Sequence, residues 1–143
     1  MKKYILLLFV SISILSCDSK TKDKIDGTTV KQDPVITDST TVQIIDSTYN
    51  YGKVTDGEKV EYNYRFKNIG NKPLVIIRAT SSCGCTVPEK PEKPVMPGEI
   101  GFIKVVFDSR GKVGTTHKSI SVQSNANPPF ADLILTGEVL PKQ

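Results

Sequence analysis

Val60-Glu61-Tyr62-Asn63-Tyr64-Arg65-Phe66-Lys67 decides the fold class. Apolar and polar residues alternate without a break, which is the pattern of a β-strand with one buried face and one solvated face. The segments around it share its texture. Upstream, Val42, Ile44 and Ile45 form a first apolar patch, and Tyr49–Val54 leads into Thr55-Asp56-Gly57, where Asp-Gly supplies the positive φ of a tight connection. Downstream, Asn68–Pro73 is a turn cluster, and Leu74–Ile77 is a short apolar run that fits a strand buried on both faces. Val87–Gly98 carries four prolines and reads as an extended surface loop, since proline cannot sit in a central strand. Ile100–Phe107, Thr116–Ser124 and the stretch holding Leu133, Leu135 and Val139 give further strands, parted by the turns Asp108–Gly114 and Asn125–Pro129. No stretch has a 3.6-residue period. The expectation is an all-β, antiparallel sandwich of about seven strands.

The totals agree with a compact exported domain. The chain has 143 residues, 38% of them hydrophobic, and a mean hydropathy of -0.19. Those values fit a globular chain and exclude a helical membrane bundle. The net charge is +4 and falls to +2 once Lys2 and Lys3 are removed, with the lysines scattered, so no nucleic-acid partner is expected. Trp is absent and His117 is the single histidine. There is no phosphate loop or nucleotide fingerprint, and Glu89, Glu92 and Glu99 read as solvated charges rather than a catalytic pair.

Met1-Lys2-Lys3 precedes an apolar run from Ile5 to Leu15, too short for a span of roughly twenty residues and right for a signal peptide. The run ends Ile14-Leu15-Ser16-Cys17, which resembles the bacterial lipoprotein cleavage box. That resemblance implies that Cys17 becomes the mature N-terminus and carries acyl chains such as palmitate. Two or more chains, at about 0.8 kcal/mol per buried methylene, anchor a protein stably. The expected address is the bacterial cell envelope, with the periplasmic face of the outer membrane first and the inner membrane or cell surface as alternatives. The expected divisions are a signal peptide at 1–16, a lipid-anchored disordered tether at 17–40 and the sandwich at 41–143. Such a tether has a typical reach of about 25 Å. Asp38-Ser39-Thr40 and Asp46-Ser47-Thr48 resemble a three-residue O-glycosylation motif, making Ser39 and Ser47 candidate sites.

With Cys17 lipidated, two cysteines remain, in Ser82-Cys83-Gly84-Cys85-Thr86. Four readings compete. An oxidising compartment favours a disulfide between Cys83 and Cys85. It requires the backbone to pinch, which Gly84 would permit. A ring this small gains only about 1.6 kcal/mol of loop entropy, so shape or reactivity explains it better than stability does. The pair could instead be packed thiols, a soft-metal site for copper or zinc with Met96 and His117 as further ligands, or a thiol-exchange site with Lys90 or Arg78 supplying positive charge.

A wider pattern includes these cysteines. Tyr51-Gly52-Lys53-Val54 with Gly57, Phe66-Lys67-Asn68-x-Gly70 with Pro73-Leu74-x-Ile76, Ser82-Cys83-Gly84-Cys85-Thr86, Pro97-Gly98-Glu99, Gly111, Ser124-Asn125 and Leu133-x-Leu135-x-Gly137-x-Val139 occur in this order. Over about residues 41 to 140 the chain resembles the bacterial lipoprotein family known as domain of unknown function 1573. More distantly it resembles the immunoglobulin-like domains of the abnormal-spindle, hydin and major-sperm-protein group. The resemblance implies an immunoglobulin-like sandwich and no enzymatic activity or cofactor. The functional expectation is a non-enzymatic, lipid-anchored envelope protein that binds or scaffolds a protein or glycan partner. The alternative is thiol-redox or soft-metal handling at Cys83 and Cys85.

Overall fold

The computed structural model describes residues 38–143. The signal peptide, Cys17 and most of the expected tether lie outside them. Eight strands follow one another: β1 (Val42–Ile44), β2 (Thr48–Thr55), β3 (Lys59–Asn68), β4 (Ile76–Ser81), β5 (Thr86–Glu89), β6 (Ile100–Asp108), β7 (Gly114–Ser124) and β8 (Leu133–Leu140). They form two four-stranded sheets, β1-β3-β6-β5 and β2-β8-β7-β4. The all-β sandwich expected from the alternation is the observed fold.

The central pair is β3 with β6, in unbroken antiparallel register from Lys59↔Asp108 to Lys67↔Ile100. Even-numbered residues of β3 and odd-numbered residues of β6 point inward. Tyr64, Phe66, Ile103 and Phe107 are fully buried there. The second sheet answers with Ile120, Leu133, Leu135 and Val139. At about 25 cal/mol per Å² of apolar surface, this inter-sheet layer is the main favourable term in folding. Two glycines let bulky rings into it. A Cβ on Gly101 would strike the Phe66 ring, and one on Gly137 would strike the Tyr51 ring. The buried Tyr64 hydroxyl donates to the Ile134 carbonyl, and burial raises its pKa.

Three details differ from the sequence reading. Leu74–Ile77 is not a strand buried on both faces: β4 begins at Ile76 and forms the edge of its sheet, with Arg78 and Thr80 exposed. Leu74 is buried through an isolated bridge to Val95. An eighth strand, β5, includes Pro88, which an edge position tolerates because one side of the strand needs no N–H. The β2–β8 pair is parallel within otherwise antiparallel sheets, with a bulge between Asn50 and Lys53.

One end of the sandwich is organised by a buried amide. Asn68 is fully buried. Its Oδ1 accepts from the Thr40 hydroxyl at 3.0 Å and the Gly70 N–H at 3.1 Å. Its Nδ2 donates to the Lys72 carbonyl at 2.7 Å and the Val95 carbonyl at 2.9 Å. Its own N–H and C=O pair with Glu99 and Gly98. Asn125 does similar work beside it, donating to the Asp38 and Pro73 carbonyls and accepting from Val75 N–H. Thr40, which the sequence places in the tether, is therefore buried and bridged to Ala126. Asn68→Ala would leave the Thr40 hydroxyl and the Lys72 carbonyl without this partner and the Val95 carbonyl with the Leu74 N–H alone, and would open a cavity in a fully buried position. The expected loss is about 3–5 kcal/mol of unfolding free energy, measured by urea titration.

Candidate functional site

Cys83, Gly84 and Cys85 form the corner where the chain leaves one sheet for the other. β4 ends at Ser81 in the second sheet and β5 starts at Thr86 in the first. Each side of the corner is pinned to a different sheet. Ser82 N–H donates to the Ser119 carbonyl of β7 at 3.1 Å, and the Cys85 carbonyl accepts from Asp108 N–H of β6 at 2.9 Å. Between these points Cys83 and Cys85 are joined by a disulfide, with their Cα atoms 5.4 Å apart. That separation lies well inside the range a disulfide accepts, and it is shorter than a fully extended pair would allow.

Both cysteines are half-buried and Cys85 packs against the core. The Thr86 hydroxyl lies beneath the bridge, 3.6 Å from the Cys83 sulfur and 4.0 Å from that of Cys85. Ser81 Oγ, immediately before the corner, is buried and has no hydrogen-bond partner among the described residues.

Gly84 does not have the role expected of it. Its φ is not in the left-handed region, unlike those of Gly52, Gly57, Gly98, Gly111 and Gly114. A Cβ built on it would meet nothing within 4 Å, and the residue is exposed. The backbone pinch is made without a conformation reserved for glycine, and nothing in the domain crowds the position.

Sequence reasoning missed the charged groups beside the corner. Neither Lys90 nor Arg78 lines the depression that contains Gly84 and Cys85; Asp108, Arg110 and Lys112 do. The pairing of Thr86 with Phe107 carries the β6–β7 turn to this position, a register no local pattern announces. Arg110 and Asp108 form a bidentate pair with N–O distances of 2.6–3.0 Å. Hydrogen bonds from Arg110 pull the Asp108 carboxyl down to about 2.

The other candidates lie apart. His117 is exposed on the outer face of β7, whose inward residues include Thr116 and Ile120. Met96 is in the loop before β6, at the opposite end from the Cys85–Asp108 contact. Among the described residues, no three His, Cys, Asp or Glu side chains gather for a metal. Ser39 and Ser47 are both exposed. Beside Ser47, the Asp46 carboxylate is held by Arg65 at 2.7 and 3.0 Å, and those hydrogen bonds lower its pKa. Beside Ser39, Asp38 pairs with Lys72 at 3.3 Å.

The comparisons with known proteins bear on this arrangement. A family model described as "Protein of unknown function (DUF1573)" matches residues 42–139. A protein of unknown function from Porphyromonas gingivalis W83 is similar in structure, with a TM-score of 0.62 and 17% identity. The match covers 70% of this chain and 47% of that chain. The chain thus spans about half the length of that protein. The ASH / PapD-like domain 7 of human CEP192 is similar with a TM-score of 0.56 and 15% identity, covering 73% of this chain and 89% of that one. At these identities the likeness is one of fold. No curated protein matches the chain.

Asp108 has a depressed pKa, so its contribution to stability is present above the ordinary carboxylate range and is lost as pH falls toward 2. Arg110→Ala should raise the Asp108 titration from about 2 toward the ordinary carboxylate range, with the residue-110 N–H and Lys59 still holding it somewhat below, read by carboxyl-carbon NMR.

Proposed function

The chain belongs to the DUF1573 family of proteins of unknown function, and on that footing we propose that it is a non-enzymatic, lipid-anchored envelope protein whose β4–β5 corner binds another envelope component. Cys17 is the anchor in this reading, and the residues between it and Asp38 are the spacer. The observation that carries the binding role is Gly84. A glycine with no positive φ and open space around it serves nothing inside the domain. It makes sense where a partner's surface comes against the backbone. The disulfide and the hydrogen bonds to Ser119 and Asp108 would hold that backbone in one shape, limiting the ordering cost of binding. The free side of the β5 edge continues the surface and offers main-chain groups to an extended segment.

Gly84 therefore separates binding from folding. Gly84→Ala should leave stability unchanged or raise it by about 0.4–1 kcal/mol, by restricting the unfolded chain. The bulkier Gly84→Val should abolish partner recovery in pull-downs from crosslinked cells. Recovery by Gly84→Val equal to wild type, or recovery by a tether-only control equal to both, would sink the reading.

A second reading has one specific observation behind it. Lys112, outside the Arg110–Asp108 pair, shares a depression with Cys85, so positive charge is at hand for a Cys85 thiolate leaving group. A partner dithiol would attack the bond, giving a mixed disulfide and then two protein thiols and a partner disulfide, with two electrons passing to the protein. The double variant Cys83→Ser, Cys85→Ser should lose only about 1–2 kcal/mol of stability. Wild-type growth of that variant under oxidative stress would argue against exchange and leave binding in place.

A further inference from the structure

The two outer faces of the sandwich differ in chemistry. The outward side of β7 presents Thr115, His117, Ser119 and Ser121, and that of β8 presents Thr136 and Glu138 between Ile134 and Leu140. The outward side of the first sheet, at the end where the chain enters, instead exposes large apolar groups. Ile69 is 53% exposed, Ile100 and Phe102 are each 50%, and Met96 in the adjoining loop is 48%. The β3–β6 register makes them neighbours. Lys67 faces Ile100 across the strands and Arg65 faces Phe102, so Ile69 continues β3 diagonally beside Ile100.

This patch touches the point of entry. The Thr41 carbonyl accepts from both Ile69 N–H and Gly70 N–H, at 3.0 and 3.1 Å. The charges around it also favour an apolar or anionic surface. The Glu99 carboxylate is turned back onto Met96 N–H at 2.9 Å, and the Asp38 carboxylate is engaged by Lys72. Lys67 stands within the patch with its stem half-buried, an arrangement that lets an ammonium reach outward past an apolar floor.

From this geometry we infer that the Ile69–Met96–Ile100–Phe102 patch docks the domain on the surface of the lipid bilayer. The inference rests on the reading of Cys17 as a lipid anchor. Given that anchor, the spacer of about 25 Å reach keeps this end close to lipid at a high effective concentration, so even weak interfacial contacts are occupied. Apolar side chains beside lysine are the composition that seats peripheral segments at the headgroup boundary. Eight steps along β6 from Ile100 to Asp108 separate the Cys85 contact from the patch by about 27 Å along the strand, so docking leaves the corner uncovered.

The test uses the full chain purified from membranes and reconstituted into vesicles of phosphatidylethanolamine and phosphatidylglycerol. Intact mass reports the acyl chains on Cys17. A carbene photoprobe dissolved in the lipid, mapped by peptide mass spectrometry, reports which surface meets the bilayer. Peptides holding Ile69, Met96 and Ile100–Phe102 should be labelled about fivefold above those holding His117. Ile100→Ser with Phe102→Ser should bring them level while the chain stays folded by circular dichroism, because the inward residues Ile103, Val105 and Phe107 of the same strand are untouched. Equal labelling of both faces in acylated protein overturns docking and leaves the anchor standing. A chain without acyl groups overturns the anchor, and this inference with it. Crosslinking of the patch to a protein in place of lipid also overturns it.

Discussion

The end of the sandwich where the chain enters depends on one side chain, the buried carboxamide of Asn68. Two donors and two acceptors from three separate segments meet it, and its own backbone groups are satisfied by the loop before β6. A buried amide so fully paired is cheap to keep and costly to disturb, because its bonds to the Thr40 hydroxyl and the Val95 carbonyl are shielded from water. The entry segment, the turn after β3 and the proline-rich loop have little apolar surface of their own. Asn68 converts them from three independent loops into one layer, and Asn125 repeats the device on the neighbouring sheet.

The sequence announces the fold through side-chain alternation. Val60 to Lys67 specifies which residues turn inward, and the observed β3–β6 register buries Val60, Tyr64 and Phe66; Ile100 to Phe107 is apolar on both faces, and only the register selects Ile103, Val105 and Phe107. What it does not announce is pairing between distant strands. The apolar run Leu74–Ile77 reads as doubly buried because it lacks polar residues, yet β4 ends up on an edge. Leu74 gains its burial from Val95, a residue beyond a loop rich in proline. Asn68 is visible in the sequence only as a turn residue. A single Asn bonded to three segments leaves no periodic trace. The corner at Cys83 stands out because cysteine is rare in this chain, whereas Arg110 and Lys112 reach it only through the β5–β6 register.

The corner and the apolar patch are two separate surfaces of different chemistry. One is a short, covalently closed stretch of backbone with a bare glycine at its exposed position. The other is a broad face with half-exposed side chains beside the chain's entry point. They use opposite ends of β6, so the same strand that forms the centre of the first sheet fixes the distance between them. A rigid spacer of this kind needs no hinge, and the core around Ile103, Val105 and Phe107 supplies the stiffness.

The parallel pairing of β2 with β8 has a consequence for how the molecule is made. β2 borders no other strand, so its ladder waits for the last stretch of the chain, with Thr48 meeting Ile134. During synthesis or export the first half can form β1, β3 and later β6, but the second sheet stays open until Leu133–Leu140 arrives. A chain that stops short of Leu133 therefore forfeits two strands, not one, along with the inward residues Leu133, Leu135 and Val139 that close the core. Closure of the second sheet is in this way coupled to β8, the element most distant in sequence from the strand it completes.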